Sequence, residues 1–431
     1  MLWNRASVKQ NDTVSFYVNN KAADRPAATA IPPETSLTEM SSPSSARPDG
    51  IRHRMTAARV IRQIALLCGL AAALAACSSI PRTPYTAADA ANSRVLDLDG
   101  LRRYADEPAS KFKLEKDNVA PIRTYLALSG GGADGAYGVG VLNGWTAAGN
   151  RPTFSVVSGV STGGLIAPFA FLGSRYDDTL KEVYTSGIAE TLLQDPSLMR
   201  VLFGSGLFGN KRLRELVARY VDQDILSEVA RENAKGRKLL IVTTDLDTQR
   251  TVIWDMGRIA AVGTPEALQL FRDVMAASAS IPLVFPPIMI DAEGQGRRFQ
   301  EMHVDGGVTA PVLTLPDALM FRERSWPANG RMNIYILVNK KLEGNFELVS
   351  NSTIDVASRS ISAITQAQTR SVILSTYDFA RRNRLGFHLS YIERDYPAPE
   401  TQGFDTGYMR ALYQYGYEKA RAGQAWTATP P

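Results

Sequence analysis

Apolar positions along the chain fall into short runs closed by glycine-rich turns, and between these runs charge and aliphatics alternate at helical spacing. Tyr125-Leu-Ala-Leu-Ser129 is a short buried strand, Gly130-Gly131-Gly132-Ala-Asp134-Gly135 a glycine loop, and Ala136 to Ala148 an alanine- and glycine-rich helix. Phe154, Val156 and Val157 have the aromatic and β-branched character of a second strand. That strand stops at Ser161, set among small residues, and the small and apolar run Gly163 to Leu172 reads as the next helix. Helices are predicted over Asn210 to Val221, Leu226 to Asn233, Pro265 to Ser280 and Asp355 to Arg381. Strands are predicted over Lys238 to Asp245, Arg250 to Trp254, Phe299 to Val304 and Asn333 to Asn339, the first two pairing as a hairpin. Repeated strand and helix alternation predicts an α/β body, a mostly parallel sheet between layers of helices.

The N-terminal region breaks this pattern. From Lys21 to Gly50 there is no hydrophobic periodicity, and the composition is that of a disordered segment. Met55-Thr-Ala-Ala-Arg-Val-Ile-Arg then forms a basic region ahead of an apolar stretch, Ile64 to Ala76, which is short of the roughly 20 residues a spanning helix needs. Residues 55–76 read as a secretory signal, with Met55 as the expected start and residues 1–54 as a disordered or non-native extension. Leu74-Ala75-Ala76-Cys77 resembles a bacterial lipobox, which implies cleavage before Cys77 and acylation of its thiol. A plain signal peptide ending in Ala-x-Ala is the alternative. Ser78 after the cysteine resembles outer-membrane lipoproteins, so a lipid-anchored envelope location is expected. Residues 77–118 then read as a polar tether, 119–423 as one folded body and 424–431 as a frayed tail. A split into two domains after Asp305 is the alternative.

Composition narrows the chemistry. Both cysteines, Cys68 and Cys77, precede the body, which excludes a disulfide, a cysteine metal site or a thiol nucleophile there. Nine Lys/Arg and five Asp/Glu precede Cys77, which leaves 39 basic against 38 acidic residues from Cys77 onward. The formal +5 of the whole chain therefore says nothing about nucleic acid, and no basic stripe with interleaved aromatics is present. No metal or cofactor is expected.

Three local motifs carry candidate chemistry. Gly159 and Gly163 bracket Ser161 as G-x-S-x-G, the pattern of a nucleophile on a strained strand-to-helix turn. Gly130, Gly132 and Gly135 satisfy G-x-G-x-x-G between a strand and a helix. As a dinucleotide fingerprint this loop would want an acid at the end of the next strand, and that position holds Val157, Ser158 and Gly159. As an oxyanion hole it needs only free amides beside a nucleophile. Asp305 ends a strand and precedes Gly306-Gly307, which allows a sharp turn or a close approach. Of the three histidines, His53 precedes the signal, His303 lies on the strand leading to Asp305, and His388 sits in the alternating run Leu-Gly-Phe-His-Leu-Ser-Tyr. Ser161, Asp305 and His388 occur in the chain order of an α/β-hydrolase triad, which stands as an alternative.

Taken together, Leu-Ser-Gly-Gly-Gly-Ala-Asp-Gly-Ala-Tyr-Gly-Val-Gly, Gly-Val-Ser-Thr-Gly-Gly, Ala277-Ser-Ala-Ser-Ile-Pro282 and His303-Val-Asp-Gly-Gly resemble the patatin-like phospholipase family, from Thr124 to about Asn339. The resemblance implies a patatin-like body, a Ser161–Asp305 dyad with Asp305 as proton acceptor, an oxyanion hole in the Gly130 to Gly132 amides, and hydrolysis of lipid acyl esters. Its expected contacts are membrane lipid, as substrate and through Cys77; protein partners are left open. Asp134 stands where the family often has arginine, a departure that bears on the substrate rather than the reaction. A nucleotide binder and an inactive lipoprotein scaffold on the same fold are the other two classes.

Overall fold

The computed structural model describes residues 82–112, 123–193, 209–320, 332–344, 346–397 and 403–431. The extension, the signal segment and Cys77 lie outside these. Among the described residues no helix is long and apolar enough to cross a membrane.

One nine-stranded sheet organises the described body. In chain order its strands are β1 Arg102–Tyr104, β2 Thr124–Leu128, β3 Val156–Val160, β4 Lys238–Asp245, β5 Arg250–Asp255, β6 Ile288–Gly294, β7 Arg297–Asp305, β8 Asn333–Lys341 and β9 Gly386–Ile392. Their order across the sheet is β1-β5-β4-β3-β2-β8-β9. The five strands from β4 to β9 along that path run parallel, as alternation with helices predicts. The expected hairpin is present as antiparallel β4 and β5.

Side chains alternate across the parallel strands and so build two cores. Leu126, Leu128, Val157 and Leu337 face helices α1 Gly135–Ala147, α2 Thr162–Leu172, α3 Pro265–Ser278 and α5 Thr406–Arg421. Tyr125, Ala127, Val156, Ile334, Ile336 and Val338 face Ile373, Phe379 and Ala380 of the long helix α4 Thr353–Asn383. The three layers are thus helices, sheet and helix.

β7 reaches the site by an unusual route. β4 runs past the end of β3, and its last residues Thr243 to Asp245 pair antiparallel with Asp305 to His303 of β7. β7 therefore takes the place beside β4 that β3 vacates at the serine.

Two sequence expectations are corrected. Residues 82–112 of the expected tether are folded onto the sheet: β1 pairs with β5, Val95 and Leu101 are buried, and Tyr85 stacks on Phe299 at 4.1 Å. The expected frayed tail is also ordered. Thr427 exchanges two 2.9 Å backbone hydrogen bonds with Leu389, and Trp426 packs on Trp145 at 4.8 Å between ring centroids.

Candidate active site

Register places the motifs together. Leu128 pairs with Gly159 and with Leu337, and Val160 with Val242, so the glycine loop, Ser161, Asp305 and the end of β8 all leave the sheet at the carboxyl edge of its parallel strands. That edge is where open α/β sheets keep their sites.

Ser161 sits on a sharp turn between β3 and α2 with φ 56° and ψ −127°, a conformation a non-glycine residue holds only at a cost of about 1–3 kcal/mol. The turn is so tight that a β-carbon on Gly159 would lie 2.3 Å from the Gly163 carbonyl oxygen. The Ser161 N–H donates to Ser278 Oγ at 3.0 Å, so the end of α3 fixes the strained residue. Two residues on, the Ser280 carbonyl accepts the Asp305 N–H at 3.0 Å. The segment Ala277 to Pro282 thereby ties both members of the expected dyad to one helix end. The role of this motif is not legible in the sequence, because its partners are remote in the chain.

Asp305 is buried, and Gly307 N–H donates to its Oδ1 at 2.7 Å. Burial raises its carboxyl to about 6, against the opposing pull of hydrogen bonds from Ser161 and Gly307 and of the Lys340 charge. The Ser161 hydroxyl therefore faces a carboxylate of raised basicity.

The glycine loop approaches from β2. The Ser129 hydroxyl donates to the Gly130 carbonyl and accepts the Asn339 N–H, both at 2.8 Å. A β-carbon on Gly131 would lie 2.1 Å from the Asn339 carbonyl oxygen, and Gly132 has φ 58°, so this path requires glycine. Gly130 N–H donates to the Pro311 carbonyl at 3.1 Å, which corrects the expectation that all three amides face the serine. No partner among the described residues takes the Gly131 or Gly132 N–H. Asp134 closes the loop as a half-buried carboxyl, raised to about 6 by desolvation and hydrogen-bonded by the Tyr408 hydroxyl at 2.8 Å.

These groups border one cavity of about 260 Å³, lined by Gly131, Gly132, Ser161, Asp305, Ile281 and Lys340 among others. No sequence motif marks Lys340; it stands in an ordinary strand end, and only the register brings it to the cavity of the serine. A larger cavity of about 570 Å³ around Arg151, Phe171 and Arg237 holds none of the motif residues, and its three guanidiniums, those of Arg151, Arg175 and Arg237, are paired with Asp177, Glu228 and Glu232.

Neither histidine completes a triad. His388 lies near the amino end of β9, stacked on Tyr335 at 4.4 Å and with Nε2 3.2 Å from Asn333 Oδ1, at the opposite end of the sheet from Ser161. His303 is buried, its Nδ1 3.0 Å from Thr243 Oγ1 and its Nε2 3.3 Å from Glu301. Among the described residues no cluster of three or more His, Cys, Asp or Glu could hold a metal ion.

An α/β sheet that presents a glycine loop, an elbow serine and a buried carboxylate at one edge has the architecture of an acyl hydrolase. Residues 126–316 match the family described as patatin-like phospholipase, a match that supports a lipid hydrolase. No curated protein matches the chain at a significant level. Among solved structures, the chain is similar to VipD from Legionella pneumophila, with 14% identity over 72% of this chain and 68% of that one and a TM-score of 0.35. It is also similar to the type III effector protein ExoU, with 14% identity over 72% of this chain and 54% of that one and a TM-score of 0.28. A further similarity is to the full-length complex of SpcU with ExoU from Pseudomonas aeruginosa, with 14% identity over 73% of this chain and 56% of that one and a TM-score of 0.26.

Proposed function

We propose that the protein is a lipid acyl hydrolase of phospholipase A or lysophospholipase type, working through a Ser161–Asp305 dyad. The observation that carries this reading is the strained Ser161 elbow facing a carboxyl that burial raises to about 6. In the forward step Asp305 takes the Ser161 proton as Oγ attacks the ester carbonyl, and the free amides of Gly131 and Gly132 hold the oxyanion. Collapse expels the alcohol, which takes that proton from Asp305. Water then attacks the acyl-serine, again losing its proton to Asp305, and the fatty acid leaves as Ser161 is reprotonated.

Fluorophosphonate labelling together with turnover of a short-chain ester tests the reading. Ser161→Ala should abolish labelling, and Ser161→Ala and Asp305→Asn should each remove nearly all turnover, because members of one unit are strongly non-additive. His388→Gln should stay within about tenfold, a barrier change of about 1.4 kcal/mol or less. A folded His388→Gln variant as inactive as Ser161→Ala would sink the dyad, and absence of labelling in the parent would favour an inactive scaffold.

The same reading includes export and lipidation at Cys77, with the body held at the outer membrane; two or more acyl chains anchor firmly. Cys77→Ala should leave the protein unprocessed or free of the membrane fraction. Unchanged fractionation would remove the anchor from the proposal.

A further inference from the structure

Lys340 follows Asn339, the residue that holds the glycine loop, and stands near the end of β8, one position past the level of Gly130. Its side chain lines the cavity that contains Ser161 and Asp305. Among the described residues it is the one basic side chain on that wall, and no hydrogen bond or ion pair engages it there. Its neighbour Lys341 behaves differently: the Lys341 ammonium donates to the backbone carbonyls of Arg394, at 3.0 Å, and Tyr396, and so pins the exit of β9. Lys340 feels only the charges of Asp305 and Asp134 across space, while burial lowers its ammonium. Neither carboxylate comes within ion-pair distance of it. Asp305 is engaged by Ser161 and Gly307, and Asp134 accepts the Tyr408 hydroxyl.

A partly buried ammonium without a partner is costly unless an anion arrives. The rest of the wall mixes polar and apolar groups. Ser358, Ser362 and Thr365 of α4 bring hydroxyls beside Ile361 of the same helix, and Ile281, Pro282 and Val284 add an apolar side. Leu283 and Val284 continue that apolar side onto the exposed surface.

We infer that Lys340 is an anion subsite of this cavity, taking the phosphate of a phospholipid head group while the ester lies at Ser161 and the acyl chain along Ile281 to Val284. The position of the ester rests on the proposed role of Ser161; the binding of phosphate does not. Lys340 is thus a specificity residue, selecting phosphorylated lipids over neutral glycerides.

Calorimetric binding to the Ser161→Ala protein tests this without turnover. The probes are two monomeric lipids with the same acyl chains, dihexanoylphosphatidylglycerol and dihexanoylglycerol. The phospholipid should bind at least tenfold more tightly; adding Lys340→Met should bring the ratio of the two affinities to about one, and Lys340→Arg should restore most of it. Equal affinities in the Ser161→Ala protein would overturn the subsite even if the Lys340 variants failed to fold. So would a Lys340→Met variant that weakens both lipids equally, since the lysine would then serve packing. Inorganic phosphate added as competitor separates the two sources of the anion: displacement at concentrations no higher than the phospholipid's own would make this a site for free phosphate and overturn the head-group assignment. A protein that prefers the phospholipid but is never labelled at Ser161 would sink the hydrolase reading and leave the subsite standing. Turnover of esters without any phosphate preference would do the reverse.

Discussion

Asp305 is where one residue's surroundings set the chemistry. A carboxyl at its ordinary value near 4 is a weak base toward a hydroxyl, and burial lifts this one to about 6. If Asp305 must be ionised to accept the Ser161 proton, kcat/KM should rise about tenfold per pH unit below about 6 and level off above it. Stability should move the other way. The folded state favours the protonated carboxyl and the unfolded chain releases that proton at lower pH, so between about pH 4 and 6 the native state binds more protons and loses stability as pH rises. Asp305→Asn removes the buried charge. Its melting temperature should exceed the parent's by a few degrees at pH 8 and by little at pH 4. A gain of equal size at both values would refute burial as the origin of the shift.

At the scale of elements, the features legible in the sequence were those written locally. The glycine loop, the elbow and the Asp-Gly-Gly turn each need small residues at fixed spacing, and each strand core is a short apolar run. The alternating run around His388 is a strand, Gly386–Ile392, and the chain order that suggests a triad carries no information about which end of that strand it occupies. The role of Ser278 is illegible for a different reason: its hydrogen bond spans 117 residues, and just beyond it the Ser280 carbonyl accepts the Asp305 N–H of β7. Ser278→Ala leaves a buried N–H on a strained residue without its acceptor, a cost of about 1–3 kcal/mol. If that cost falls on the positioned nucleophile, kcat should drop roughly 10- to 100-fold with KM little changed. Steady-state kinetics on a short-chain ester decide it, and an unaltered kcat would mean that the elbow holds its shape without α3.

The largest departure from the sequence reading concerns the whole molecule, in the segment that follows the expected anchor. Its polar composition hides a few attachment points whose partners are far along the chain: Arg82 and Tyr85 on Asp247, and Arg102 on Glu301. The Arg102–Glu301 pair is buried and continues to His303, so it braces β7 four and two residues before Asp305. Burial alone would raise the Glu301 carboxyl, but hydrogen bonds from Arg102 and His303 hold it well below the ordinary carboxylate range. Arg102→Met strands that charge in the interior, which costs about 3–5 kcal/mol when one partner of a buried pair is removed. A depressed carboxyl contributes stability that is present above its unfolded value and is lost on acidification. The deficit of Arg102→Met should therefore be large in urea unfolding at pH 7 and shrink toward pH 4, and Arg102→Met combined with Glu301→Leu should recover most of it, since no unpaired charge remains. A single variant within about 1 kcal/mol of the parent at pH 7 would reduce the segment to a passive tether, as its composition first suggested.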